Sequence, residues 1–145
     1  MRLVKKRLVM LALVCTTYYP LLSIAEGDNT SVLLRQVVEE SLSAFQQEDL
    51  LRSLQYVHTK SPEYEQMKQR LTQYFRDYNL RAELVDYSYI GHEREFAAAR
   101  VKLKTTRIAG EPFQNNVTDL IFIFDQEAGQ WKYWGSIVLG TEFIN

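Results

Sequence analysis

The sequence predicts an α+β domain in which three N-terminal helices pack on a curved, four-stranded antiparallel meander. Two observations predict this fold class. Apolar residues recur at helical spacing up to residue 78, and over residues 80–139 their period changes from 3.6 to 2. The chain has 145 residues, which suits one domain and is too short for two ordinary ones.

Residues 1–25 are predicted to be a signal peptide, and residues 26–145 the mature domain. Residues 1–7 are basic, residues 8–22 form an apolar run, and small residues at Ser23 and Ala25 suit a signal peptidase. We therefore expect cleavage after Ala25 and a periplasmic or secreted protein. An uncleaved anchor is one alternative, although the run is shorter than the roughly 20 residues of a spanning helix. A lipoprotein cut before Cys15 is another, although Val14 precedes this cysteine where a small residue is expected.

The composition argues against several classes of function for the mature domain. Cys15 is the only cysteine, so the mature domain has no disulfide, thiol nucleophile or thiolate metal site. Four of the 17 basic residues lie in the signal, which leaves 13 basic against 18 acidic residues and a net charge of −5. This charge argues against nucleic acid or an anionic membrane surface as the main partner. No motif predicts a metal or a cofactor, and the sequons at Asn29 and Asn116 matter only in a eukaryotic secretory pathway.

Each predicted helix has a local signal. A polar leader, residues 26–30, precedes a helix over residues 32–47 that has one apolar stripe. A second, short helix begins at Glu48-Asp49. After a connector, residues 56–60, the sequence Ser61-Pro62-Glu63 supplies a capping serine, a first-turn proline and an acid for a third helix that runs to about Tyr78.

The strands follow from alternation. The alternating phase slips at Val85, which predicts a β-bulge in the first strand. Turns are predicted at Gly91-His92-Glu93, at residues 109–112 and at Glu127-Ala128-Gly129. Strict alternation in the fourth strand puts Trp131 and Tyr133 on the face that the helices cover.

This order of elements resembles the nuclear transport factor 2-like superfamily, the cystatin-like α+β cone that includes ketosteroid isomerase and the SnoaL-type cyclases. The residues that carry the resemblance are Ser61-Pro62-Glu63-Tyr64, Thr105-Thr106-Arg107 and Gly129-Gln130-Trp131-Lys132-Tyr133. The resemblance implies a sheet that curls around the helices and leaves a pocket at the wide end of the cone. It also implies that catalytic members carry an acidic base after the second helix, where residues 56–60 here contain no carboxylate.

The candidate pocket residues are hydroxyl-bearing side chains on the concave face. A tyrosine has an apolar body and one polar tip, which suits a mostly apolar cavity, although such residues also serve as ordinary core. The predicted ligand-binding residues are Tyr87, Tyr89, Thr105, Thr118 and Tyr133. His58 is the one candidate catalytic base, since an imidazole titrates near neutral pH, but a histidine in a connector is more often held by backbone groups.

The outer face of the sheet is predicted to be apolar over its last two strands. Antiparallel sheets with one solvated face usually alternate cleanly, so an apolar outer face indicates an interface. The predicted homodimer interface comprises Ile121, Ile123, Trp134 and Val138, with coverage by a chain terminus as the alternative. Asp119 is expected to pair on this face with Arg100 or Lys102.

The predicted function is that of an exported, non-catalytic domain that binds a small apolar ligand or a protein partner through the pocket and the outer face. One alternative is an isomerase, cyclase or dehydratase that uses a pocket histidine or carboxylate as its base. Such an enzyme needs that group within hydrogen-bond reach of a tyrosine. The other alternative is a structural subunit of an envelope assembly, which predicts a filled cone.

Overall fold

Three helices open the structure. The computed structural model describes residues 23–145, so most of the predicted signal peptide lies outside the described residues. The helices are α1 (Ser23–Gln46), α2 (Leu50–Gln55) and α3 (Tyr64–Asp77). Residues 26–30 belong to α1 and are not a separate leader, because they contain no proline to stop the helix. The predicted cleavage site after Ala25 falls in the first turn of α1 and stays a prediction.

Side-chain hydrogen bonds fix the start of α2 and the turn that precedes α3. The Asp49 carboxylate accepts a hydrogen bond from the Arg52 N–H at 3.0 Å, which caps α2. The Ser61 hydroxyl accepts one from the Glu63 N–H at 3.0 Å and donates one to the Trp134 carbonyl at 2.7 Å. The predicted start at Ser61-Pro62-Glu63 is too early, because Glu63 is the N-cap and α3 begins at Tyr64. Ser61 still ties the turn before α3 to the sheet.

The sheet is the predicted four-stranded antiparallel meander. Its strands are β1 (Tyr78–Glu93), β2 (Phe96–Gly110), β3 (Asn116–Glu127) and β4 (Gln130–Phe143), in the order β1-β2-β3-β4. β1 follows α3 with no intervening loop. The predicted fold class, three helices on a nuclear transport factor 2-like meander, is confirmed.

The predicted turn at Glu127-Ala128-Gly129 is confirmed, and the one at Gly91-His92-Glu93 is not. Ala128 and Gly129 have φ of 52° and 76°, and positive φ at both central residues is the mark of a type I′ hairpin turn. The turn predicted at residues 91–93 is wrong, because His92 and Glu93 still pair with β2. The chain reverses instead at Arg94, whose φ is 56°.

Two β-bulges decide which side chains face inward. The predicted bulge at Val85 is confirmed, since Leu84 pairs with Leu103 and Asp86 with Lys102. A second bulge lies at Trp134, between the pairs Phe124–Tyr133 and Ile123–Gly135. Strict alternation in β4 is therefore wrong after Tyr133, and Val138 lies on the inner face, opposite Leu120.

The core lies between α1 and the inner face of the sheet. Leu34, Val38 and Phe124 are fully buried, and Trp131 is buried in the same cluster, as predicted. Leu54, Val57 and Leu71 form a second buried cluster between α2 and α3. Residues 56–58 add a short parallel pairing to the outside of β4, where the His58 N–H donates to the Tyr133 carbonyl and the Tyr133 N–H donates to the Tyr56 carbonyl, both at 2.8 Å.

The outer face of the sheet carries charged side chains in one region and apolar side chains in another. On β2, the Arg100 guanidinium donates to both carboxylate oxygens of Asp119 at 2.9 and 2.7 Å, which confirms the predicted outer ion pair. Lys102 lies opposite Asp86 on β1. Ile121 and Ile123 share this face on the β3 side and are half-buried.

Candidate ligand-binding cavity

The helices and the inner face of the sheet enclose a cavity of about 500 Å³. This volume lies in the range of small-molecule sites, roughly 300–1,000 Å³. Most of the wall is hydrocarbon from the helices and from all four strands. Its main apolar side chains are Val38, Leu42, Phe45, Met67, Leu71, Leu80, Leu103, Leu120, Phe122 and Val138.

Three of the five predicted ligand-binding residues lie in the cavity wall, namely Thr105, Thr118 and Tyr133. The other two lie nearer the start of α1. The Tyr87 hydroxyl donates to the Ser31 carbonyl at 2.8 Å, and the Tyr89 hydroxyl lies 2.9 Å from His92 Nδ1. Burial raises the pKa of both phenols. These two rings pack against the core and do not line the cavity.

Tyr133 is held by a short hydrogen-bond chain into α1. The Ser41 hydroxyl donates to the Val38 carbonyl at 2.8 Å, so it accepts the Tyr133 hydroxyl at 3.0 Å. Burial raises the pKa of Tyr133 far above its ordinary value. The phenol therefore stays protonated and points towards α1. Its ring packs edge-to-face with Phe122 and tilted against Phe124, at 4.7 and 5.0 Å between centroids.

Ser53, a wall residue on α2, has a buried hydroxyl that lacks a partner. The residue is 6% exposed, and its hydroxyl is the only buried side-chain oxygen or nitrogen of the described residues without a hydrogen bond. Leaving a buried hydroxyl unpaired costs about 1–3 kcal/mol. The residue lies in the cavity wall, while its hydroxyl oxygen itself has almost no accessible surface.

Two charged side chains also line the cavity, both from α3. Glu63 stands at the start of the helix, and its carboxylate lies 3.5 Å from where a Cβ on Gly135 would be. Within residues 29–145 the Glu63 carboxylate makes neither a cap hydrogen bond nor an ion pair. Arg70, two turns further along, is exposed at the rim. A carboxylate in an apolar wall is well suited to accept a hydrogen bond from a ligand hydroxyl or amine.

Residues 36–144 match the family described as "Anti-sigma-I factor RsgI9, C-terminal domain". The chain belongs to this family. No match was found among curated protein sequences.

Several solved structures share the fold of this protein. A candidate scytalone dehydratase from Novosphingobium aromaticivorans superposes with a TM-score of 0.66 at 7% identity, covering 84% of this chain and 93% of that one. A conserved protein from Planctomyces limnophilus gives 0.64 at 16%, with 81% and 99% covered. A nuclear transport factor 2-like protein of unknown function from Pseudomonas putida gives 0.62 at 11%, with 75% and 84% covered. At these identities the likeness shows the fold alone, which is the nuclear transport factor 2-like, cystatin-like fold.

His58, the candidate base, is absent from the cavity wall of this domain. It is buried on the other side of β4, where its Nδ1 accepts the Lys60 N–H at 3.0 Å and its Nε2 lies 3.5 Å from an Asp125 carboxylate oxygen. Trp134 packs edge-on against the imidazole at 5.1 Å between centroids. These contacts give His58 the role of fastening the connector to the sheet.

Glu127 completes this cluster beside His58. Its carboxylate accepts the hydroxyl and the N–H of Thr59 and lies 2.7 Å from Lys132 Nζ. These hydrogen bonds, of which that from Lys132 is the largest cause, lower the pKa of Glu127 to about 2.

Within residues 29–145 no group of three histidine or acidic side chains is arranged to hold a metal ion. No helix within residues 23–145 is long and apolar enough to cross a membrane.

The four predicted interface residues do not share one surface. Ile121 and Ile123 lie on the outer face of β3. Trp134 occupies the bulge, where it packs on His58 and on Phe96 and also lines the cavity. Val138 lies on the inner face at the cavity wall.

Ser53 and Glu63 were missed by the sequence reasoning, yet helical spacing contains the signal for both. Ser53 shares the stripe of Leu50, Leu54 and Val57, at i, i+3, i+4 and i+7. Glu63 shares the stripe of Met67, Leu71 and Tyr74, although it was assigned only as an acid of the first turn. A polar residue on an apolar stripe is the feature that points to the cavity.

Proposed function

We propose that the chain is an exported, non-catalytic binding domain that holds a small, mostly apolar molecule in the cavity between its helices and its sheet. The observation that carries this proposal is an open, apolar cavity of about 500 Å³ with the unpartnered Ser53 hydroxyl in its wall. Protein interiors are close-packed, so a space of this size does not serve stability. Export is supported by the basic and apolar pattern of residues 1–25.

The polar groups of the wall define the chemistry of the ligand. The Glu63 carboxylate accepts only, and the Ser53 hydroxyl can donate or accept. Val57 and Met67 supply apolar wall beside these two groups, and Arg70 stands at the rim. The ligand class is therefore a small aromatic or alicyclic molecule with one hydroxyl or amino group.

An enzyme of the isomerase or dehydratase class is the second candidate, because Glu63 places a carboxylate in the cavity. Such chemistry needs that base close to a tyrosine that stabilises an oxyanion. The Tyr133 hydroxyl instead donates its hydrogen bond to Ser41, and no tyrosine of the described residues bonds Glu63. Binding is therefore better supported than catalysis.

The remaining observations favour binding as well. A structural envelope subunit would have a filled cone, and this cone is open. The family is named after a domain of an anti-sigma factor, which is a regulatory protein. A domain that reports the presence of a small molecule fits that setting better than a metabolic enzyme does.

The binding proposal is tested with the fluorophore N-phenyl-1-naphthylamine, which brightens in apolar sites. We expect saturable binding to the wild type and a loss of at least 10-fold in affinity for Ala82→Phe, since Ala82 lines the cavity. The matched control is Ala98→Phe on the outer face, opposite Ile123, which should bind as the wild type does. Equal binding by both variants would overturn the proposal.

The role of Glu63 is tested by competition with 1-aminonaphthalene and naphthalene, which differ only in the amino group. A hydrogen bond to a charged group contributes about 1.5–3 kcal/mol, so Glu63→Gln should weaken the amine about 10- to 100-fold. Naphthalene should compete equally well in both proteins. An unchanged ratio between the two competitors would remove Glu63 from recognition.

A further inference from the structure

Helix α3 crosses the cavity from one side of the sheet to the other. At its start, the Glu63 carboxylate lies 3.5 Å from where a Cβ on Gly135 of β4 would be. At its end, the Asp77 carbonyl accepts the Glu111 N–H at 2.9 Å, just beyond β2. Arg70 lines the cavity halfway between Glu63 and Asp77, about 10 Å along the helix from each. Because β3 runs between β2 and β4, the middle of α3 lies across the cavity from β3.

The guanidinium of Arg70 has no ion pair and no hydrogen bond within residues 29–145. Other arginines of the helices are paired. Arg35 on α1 pairs with Glu39 at 2.9 Å, and Arg76 on α3 pairs with Asp77 at 2.6 Å. Arg70 lacks such a partner because none of the four residues one turn away on the helix is acidic. These four residues are Gln66, Met67, Gln73 and Tyr74.

Threonine hydroxyls line the same cavity at the end of the sheet where β2 finishes and β3 begins. Thr105 on β2 pairs with Asn116, and Thr118 on β3 pairs with Thr141 on β4. The Thr118 hydroxyl donates to the Asn116 side-chain oxygen at 3.0 Å. The hydroxyls of Thr105 and Thr141 have no hydrogen-bond partner in the described part of the chain, so both can donate to a ligand.

We propose that Arg70 binds a carboxylate of the ligand at the mouth of the cavity, so that the ligand is an amphipathic carboxylic acid with an apolar ring body. This assignment rests on the proposed function and adds one anionic group to the ligand class. A guanidinium presents its N–H donors in a fork that fits a carboxylate. One guanidinium balances the single charge of a carboxylate, whereas a phosphate monoester carries nearly two charges.

The position of Arg70 suits a charged group better than the interior of the cavity does. Arg70 is exposed at the rim, where a carboxylate keeps part of its hydration and avoids the cost of burial. The apolar body of the ligand then lies against the hydrocarbon wall. Glu63 is the only acid in the described wall and lies about 10 Å away along α3. It repels a carboxylate from the other end of the cavity, so the two charged residues fix one orientation of the ligand.

The test is displacement of N-phenyl-1-naphthylamine at neutral pH by 2-naphthoate and by 2-naphthamide, which have the same shape and differ in charge. We expect the wild type to prefer the carboxylate about 10-fold, as for one hydrogen bond to a charged group. Arg70→Gln should bind the two competitors alike, and Arg70→Lys should keep part of the preference. Lys68→Gln is the matched control, because it removes a positive charge from an exposed position of α3 outside the cavity wall, and it should keep the full preference.

The outcomes separate the role of Arg70 from the proposed function. If the fluorophore binds the wild type but the two competitors displace it equally well, the assignment of Arg70 is wrong and the binding cavity is unaffected. Equal loss of the preference in Arg70→Gln and Lys68→Gln would also overturn the assignment, since the overall charge of α3 would then attract the acid. If the fluorophore does not bind the wild type, the proposed function fails and the role of Arg70 fails with it.

Discussion

Replacing Ser53 by alanine should stabilise the empty protein and weaken its ligand binding. The Ser53 hydroxyl is buried and has no partner within the described residues. Such a group costs about 1–3 kcal/mol, and alanine removes it while it keeps the helix of α2 intact. We therefore expect the free energy of unfolding to rise by about 1 kcal/mol, which is about 3–5 °C in Tm for a domain of this size.

Ser41→Ala is the matched control, because Ser41 also lines the cavity but its hydroxyl is fully used. It donates to the Val38 carbonyl and accepts the Tyr133 hydroxyl. Alanine at this position leaves the Tyr133 phenol without its partner. The free energy of unfolding should fall by about 1–2 kcal/mol. Ser53→Ala and Ser41→Ala should thus change the free energy of unfolding in opposite directions.

The assay is urea unfolding followed by tryptophan fluorescence, on protein refolded from denaturant so that bound ligand is removed. Binding of a hydroxyl-bearing ligand should weaken about 10-fold in Ser53→Ala, as expected for one lost hydrogen bond. If Ser53→Ala is destabilised as much as Ser41→Ala, then the hydroxyl has a partner in the empty protein. The cavity wall would then hold no unsatisfied hydroxyl for a polar ligand group.

Three further predictions concern the fold. Gly110→Ala should lower the free energy of unfolding in urea by about 2–3 kcal/mol, because φ is +91° and a Cβ would lie 2.5 Å from a carbonyl oxygen at the end of α3. Gly140 has open space around it, so Gly140→Ala should change the stability little. Trp131→Ala should cost about 3–5 kcal/mol, as for other buried tryptophans, and a nearly unchanged melting temperature would contradict the inner position of this ring. The pKa of Glu127 is lowered from 4.5 to about 2, so its stabilising effect is complete above pH 4.5 and is lost as the pH falls towards 2. Lys132→Met should flatten this acid dependence of the urea midpoint, and a midpoint that still falls as steeply between pH 4.5 and 2 would show that Lys132 is not its source.

Features of the fold that depend on neighbours in the chain were predictable from sequence. The phase slip at Val85 marks a bulge because the apolar period itself changes there. The turn at Ala128-Gly129 and the hydrogen-bonded turn at Ser61 are local as well, since each depends on a few consecutive residues. The hydroxyls of Thr105 and Thr118 reach the cavity wall because simple alternation holds in the strands that carry them.

The parts that sequence reasoning missed depend on contacts between distant segments. Trp131, Tyr133 and Trp134 are all aromatic, so the sequence does not show which one leaves the alternation. The bulge falls at Trp134, where residues 56–58 pair on the outside of β4 and Ser61 binds the Trp134 carbonyl. This one-residue shift moves Val138 from the expected outer face into the cavity wall.

The sequence by itself determined the three helices, the meander and the apolar concave face, because hydrophobic period and capping residues are written along the chain. Only the tertiary structure decided that the cone stays open, that Glu63 and Ser53 line it, and that His58 lies behind β4 and away from the cavity. The physical reason is that a cavity is a space between elements. Its existence depends on the path of residues 56–63 across β4, and no local pattern specifies that path.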